Sequence, residues 1–90
     1  MICLKVIKGK DYQVNICDKE LIGKKINETT ISENFYGVET TRENVLNELR
    51  NATVVNALGN EAVKLLKEVK GSLKIVNIDG FPHAQFFIIT

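Results

Sequence analysis

The chain contains no tryptophan, a single proline (Pro82), a single histidine (His83) and only two cysteines (Cys3 and Cys17). With one histidine and no C-x-x-C pair, no compact zinc motif can be spelled out, so no metal is expected. No stretch approaches 18 apolar residues, which excludes a membrane-spanning helix. A strong excess of one charge is missing too: the formal net charge is +1. That balance argues against an acidic disordered tail and gives no broad electrostatic case for nucleic acid. Met1-Ile2-Cys3-Leu4 reads directly into a strand, without the charged lead and cleavage site of a secretion signal, so the cytoplasm is expected. There two free thiols are expected. No phosphate-binding loop, dinucleotide fingerprint, HExxH or G-x-S-x-G occurs. Catalytic residues therefore stay unassigned and no cofactor is expected.

What is present is an ordinary folding composition: 90 residues, 44% hydrophobic and 26% charged. This predicts one domain over residues 1–90 with a modest core. Charge is uneven along it. Residues 1–26 carry six lysines against three acids, residues 27–50 two arginines against five glutamates, and the remainder four lysines against three acids. The first block offers a small basic patch from Lys5, Lys8, Lys10, Lys19, Lys24 and Lys25. The alternative is that these lysines only solubilise the surface.

Residues 2–8 and 12–17 alternate in hydrophobicity and predict a β-hairpin around Gly9. Placing both apolar rows on one face sets Val6 opposite Val14, Leu4 opposite Ile16 and Cys3 opposite Cys17. Asp18 caps a short helical turn stopped at Gly23. Residues 25–31 read as extended, and 31–37 as a polar loop. Thr40 and Glu43 fit a capping box opening a helix over about 41–50. Residues 52–58 are ambiguous, because Val54 and Val55 favour a strand between two helical patterns; a short helical segment ending at Gly59 is preferred. Asn60 then caps a helix with the stripe Ala62, Leu65, Leu66 and Val69, closed by Gly71. Lys74–Ile78 is a strand, Asp79-Gly80 opens a turn, Phe81-Pro82-His83 extends the connection, and residues 84–89 form a last, nearly all-apolar strand that belongs well inside the sheet. The order predicts an α+β fold, a small mixed or antiparallel sheet with two to three helices packed on one face. The apolar run Phe86-Phe87-Ile88-Ile89 suggests that the second face is covered too, as a homodimer would do.

Three connections concentrate polar chemistry. Ser32-Glu33-Asn34-Phe35-Tyr36-Gly37 places hydrogen-bonding Ser32, Asn34 and Tyr36 beside rings able to stack on a base. Asn56, with Gly59 and Asn60, lies near a helix start. His83 and Gln85 follow Pro82, which stiffens their approach. His83 can act as acid, base or ligand, or can simply bond a backbone carbonyl. Cys17 with His83 could in principle form a nucleophile and base; the alternative, which is favoured, is that Cys17 is a small hydrophobe at a strand end.

These blocks resemble the DUF424 family of small, mainly archaeal proteins. The matching stretches are Cys17-Asp18-Lys19-Glu20-Leu21-Ile22-Gly23-Lys24 and Ile31-Ser32-Glu33-Asn34-Phe35-Tyr36-Gly37. Ala52-Thr53-Val54-Val55-Asn56 with Gly59 and Ala62 follows, then Gly80-Phe81-Pro82-His83-Ala84-Gln85. Where the family usually has Ser-Phe-Tyr-Gly, this chain has Asn34-Phe35-Tyr36-Gly37, exchanging a hydroxyl for an amide. The resemblance implies a stand-alone cytoplasmic protein with a link to translation. The leading expectation is thus a non-catalytic domain binding RNA or a translation component through Lys24, Lys25, Tyr36 and His83. A small enzyme or small-ligand domain centred on His83, with Tyr36, Asn56 and Gln85 orienting the ligand, is the alternative. A structural or protein-interaction module is the third reading.

Overall fold

A computed structural model describes residues 1–71 and 73–88. The strands and helices are β1 (Ile2–Lys8), β2 (Tyr12–Asp18), β3 (Lys25–Ile26), β4 (Thr29–Thr30), α1 (Glu33–Tyr36), β5 (Val38–Thr40), α2 (Arg42–Asn51), β6 (Val54–Leu58), α3 (Asn60–Lys70), β7 (Ile75–Ile78) and β8 (Phe81–Phe87). Six strands form one mixed sheet in the order β5-β1-β2-β6-β8-β7, and β3 pairs with β4 separately. This is the α+β class expected from the sequence.

The hairpin register follows from its apolar rows. Val6 faces Val14, Leu4 faces Ile16 and Cys3 faces Cys17, since a slip of one residue would turn every apolar side chain to the other face. Ile2, Val14, Ile16, Val55, Ala57 and Ala84 point into a core closed by Val45 and Leu49 of α2 and by Ala62, Val63, Leu65 and Leu66 of α3. The two long helices therefore share one face.

On the other face a second cluster gathers Cys3, Cys17, Leu21, Ile26, Ile31, Tyr36 and Leu58. Its lid is the segment from the 3-10 turn Lys19–Leu21 through α1. Residues 31–37 are thus a helical turn and not only a loop. That turn docks tightly. Gly37 closes α1 at φ +74°, and a Cβ there would stand 1.9 Å from the Leu4 carbonyl oxygen.

Residues 52–58 differ from expectation: Ala52 caps the end of α2 and Val54–Leu58 form β6, not a helix. β6 runs parallel to β2 and antiparallel to β8. Val55 and Ala57 enter the helical core while Val54, Asn56 and Leu58 face the other way, a period-two pattern that sheet pairing selects over helical flanks.

Helix starts also shift. The α2 cap is Thr41, whose hydroxyl accepts from the Asn44 N–H at 3.1 Å, one residue after the expected Thr40. Asn60 does not cap α3. Gly59 precedes that helix, and the buried Asp18 carboxylate accepts from the N–H groups of Glu61 (3.2 Å) and Ala62 (2.8 Å). A Cβ on Gly59 would stand 2.4 Å from the Asp18 carboxyl carbon. Asp18 therefore caps a helix distant in sequence, with no side-chain bond to its own turn.

The block around Pro82 is strand and not an extended connection. Asp79 (φ +54°) and Gly80 (φ +90°) make a two-residue turn of the type that suits tight hairpins. That turn pairs Ile78 with Phe81 and Asn77 with Pro82. In such a hairpin the first pair is hydrogen-bonded, so the Pro82 main chain faces β6. There its carbonyl accepts from Gly59 at 2.9 Å, at the very end of β6, where a missing N–H disturbs the ladder least. The last strand ends at Phe87; Ile89, also expected in it, lies outside the described residues.

Candidate functional site

The face opposite α2 and α3 is covered only in part. Strand registers place its side chains in three transverse rows. The first is Glu39, Cys3, Cys17, Leu58, His83 and Val76; the second is Lys5, Asn15, Asn56 and Gln85; the third is Ile7, Gln13, Val54 and Phe87. The lid covers the Cys3, Cys17 and Leu58 end of the first row. The third row is open: Ile7 is exposed and Phe87 is 58% exposed.

The middle row is held by side-chain amides. Asn15 Oδ1 accepts from Gln13 Nε2 and from Asn56 Nδ2, both at 3.0 Å. Asn56 Oδ1 accepts from Gln85 Nε2 at 2.9 Å. Asn15 Nδ2 donates to the Phe35 carbonyl at 2.9 Å, and the Lys5 ammonium donates to the Asn34 carbonyl. Those two carbonyls lie in the last turn of α1, where no further helix residue can satisfy them. The row thus fastens α1 to the sheet. Asn15 is fully buried, while Gln85, at the far end of the row, is exposed.

The sequence segments 31–37, 52–60 and 80–85 therefore meet on one face, joined through Asn15. Of the expected site residues, Asn56 and Gln85 lie in the amide row. Asn34 reaches it through its main-chain oxygen, so the Ser-to-Asn exchange there changes nothing in this bond. His83 is half-buried in the neighbouring row. Tyr36 is buried beneath the lid, its ring edge-on to Phe35 at 4.7 Å between centroids. Ser32 precedes α1 and makes no side-chain cap bond. Lys24 and Lys25 are exposed at the start of the β3–β4 hairpin, and no described side-chain hydrogen bond joins them to the row. Lys5, Gln13, Asn15 and Phe87 were not singled out as members of a site by sequence reasoning. The hairpin register already sets Lys5 opposite Asn15, but their partner across the sheet is β6, whose sequence pattern favours a helix.

Ionisation at this face is quiet near neutral pH. Burial, with the neighbouring Cys3 next, pushes the Cys17 thiol up to about 12. Burial, then Cys17, pushes the Tyr36 hydroxyl up to about 12. Burial moves His83 below its ordinary value, which keeps it neutral. Cys17 and His83 are separated by Leu58 in their row, two strand spacings or about 10 Å, which is beyond hydrogen-bond reach. Cys3 and Cys17 are free and buried. Among the described residues no group of three His, Cys, Asp or Glu side chains is placed to hold a metal ion. Two surface grooves lie elsewhere. One of about 890 Å³ is lined by Ile2, Thr41, Arg42, Glu61, Leu65 and Glu68. The other, about 400 Å³, runs along α3 beside Ile75 and Pro82.

The sequence model of a family described as "Protein of unknown function (DUF424)" matches residues 7–89. The chain belongs to the DUF424 family. No curated protein matches it. A solved crystal structure of an uncharacterized conserved protein from Methanopyrus kandleri has a similar fold. The TM-score is 0.81 at 23% identity, covering 98% of this chain and 91% of that one. The likeness extends to the whole arrangement of strands and helices that builds the open face.

Proposed function

We propose that this DUF424 protein is a non-catalytic, cytoplasmic binding domain whose ligand is RNA, free or as part of the translation apparatus, held on the open half of the sheet. One observation carries the reading: the three polar segments converge on the amide row Asn15, Asn56 and Gln85, beside exposed Phe87 and Phe35. Planar amides supply donors and acceptors of the kind that read base edges, and exposed rings supply stacking surfaces. Among the fourteen sheet residues of the three rows the one carboxylate is Glu39, at the β5 edge and paired with Lys19, and Lys5 is the cation of the middle row. The free thiols Cys3 and Cys17 suit a reducing compartment.

A second copy laid on the same face is the competing occupant. It would cover Ile7 and Phe87, but it would also have to match the Gln13 and Gln85 amides, which an apolar partner leaves unpaired. The test is a binding titration against transfer RNA and ribosomal RNA, with sedimentation of the free protein alongside. Saturable binding that weakens with added salt is expected. Absence of saturable binding to either RNA, or a concentration-independent dimer that buries Phe87, overturns the proposal.

A further inference from the structure

Building on that reading of the open face, we infer that its ligand is an unpaired stretch of about two to four nucleotides, recognised by base faces and edges more than by phosphate charge. Three features lead there. The first is length. The row from Lys5 to Gln85 crosses β1, β2, β6 and β8, three strand spacings or about 14 Å. That equals roughly four stacked steps of 3.4 Å, and fewer where bases are splayed apart.

The second is chemistry. Along the row, Asn15 Oδ1 is taken up by Gln13 and Asn56, and Asn56 Oδ1 by Gln85. The outermost acceptors, Gln13 Oε1 and Gln85 Oε1, have no described protein partner, and the amide nitrogens of Gln13, Asn56 and Gln85, which are not buried, each carry a second N–H. The Watson–Crick edge of a base offers donors and acceptors only when the base is unpaired, and in an RNA duplex the remaining edges lie in a major groove too narrow for side chains or in a shallow minor groove. Phe87 stands in the adjoining row, Phe35 is the residue whose carbonyl holds Asn15, and both carry exposed ring surface; a base can lie on such a ring only once it leaves its own stack. The face is also sheet, without a projecting helix to enter a groove.

The third is charge. Lys5 already donates to Asn34, and Lys8 lies over the Tyr12 ring on the helix side of the sheet, so Lys10 in the hairpin loop is the remaining lysine at that end of β1. At the row itself two lysines can neutralise phosphates. For a single strand this limits the slope of log affinity against log salt to about −1.4. Raising salt fourfold, from about 50 to about 200 mM, should then cost no more than about sevenfold in affinity.

The experiment is fluorescence anisotropy of labelled RNA heptamers, single-stranded or annealed to their complements, at both salt concentrations. Wild type is compared with Gln85→Ala, Phe87→Ala and Phe35→Ala. These side chains are exposed, and thermal melting checks that each variant stays folded. Expected are binding of the single strand, loss of at least about fivefold on removing Phe87 or Phe35, and the shallow salt response. Equal binding of the duplex, a steeper salt slope, or unchanged affinity in all three variants overturns this inference while leaving RNA binding itself in place. No binding of any RNA removes both.

Discussion

At the scale of single residues, one glycine and one asparagine fix the geometry of the open face. Gly37 lets α1 end against β1. Alanine there would need both a left-handed backbone and space occupied by the Leu4 carbonyl, 1.9 Å away. Gly37→Ala should therefore cost more than about 2 kcal/mol, read as a lowered urea midpoint; a midpoint equal to wild type would contradict the packing described. Asn15→Ala removes the partner of the Phe35 carbonyl, Gln13 and Asn56 at once. Unpaired groups of this kind cost about 1–3 kcal/mol each when buried, so a loss of at least 2 kcal/mol is expected in the same assay. His83 carries a pH signature. Burial lowers its folded pKa below the ordinary 6.5, so the folded protein binds fewer protons there than the unfolded chain. Its contribution to stability is complete above about pH 6.5 and is lost as pH falls below that value toward the depressed one. His83→Leu should flatten the decline in stability between pH 7 and pH 5. An unchanged slope would mean that His83 is not desolvated.

At the scale of elements, the same physics explains what the sequence made legible. The β1–β2 hairpin could be aligned residue by residue, because two clean apolar rows and a loop around Gly9 leave one register. α3 was readable from its four-residue stripe. β6 was not, since Ala52 to Leu58 is short, apolar and set between two helices, and its identity comes from pairing with β2, some forty residues earlier. The candidate site suffered from the same gap. Asn56 and Gln85 could be picked out as polar residues in apolar surroundings, but Asn15, the residue that joins them, looked like the polar side of a hairpin. The α3 cap shows another long-range substitution: a helix expected to start on Asn60 is capped by Asp18 instead. Asp18→Ala should therefore destabilise the protein by about 1–2 kcal/mol, while Asn60→Ala should be nearly neutral. The reverse order in thermal melts would show that the cap has been misplaced.

At the scale of the whole molecule, the sheet is asymmetric in what covers it. One face is sealed by α2 and α3. The other is roofed only over Cys3, Cys17 and Leu58, and it leaves an apolar strip bordered by amides. Exposed rings on such a strip contribute little to folding, so Phe87→Ala should change the melting temperature hardly at all while weakening ligand binding. Equal losses in both would make Phe87 a core residue. No described helix is long and apolar enough to cross a membrane.

The most direct measurement is a nitrogen–proton correlation spectrum of the labelled protein, titrated with single-stranded RNA. Side-chain amides give their own signals, so the row reports on itself. The NH₂ resonances of Asn56 and Gln85, with the backbone signals of Ile7 and Phe87, should move first and saturate together. Shifts confined to the groove around Arg42, Glu61 and Glu68, or no shifts at all, would contradict RNA binding on the open face.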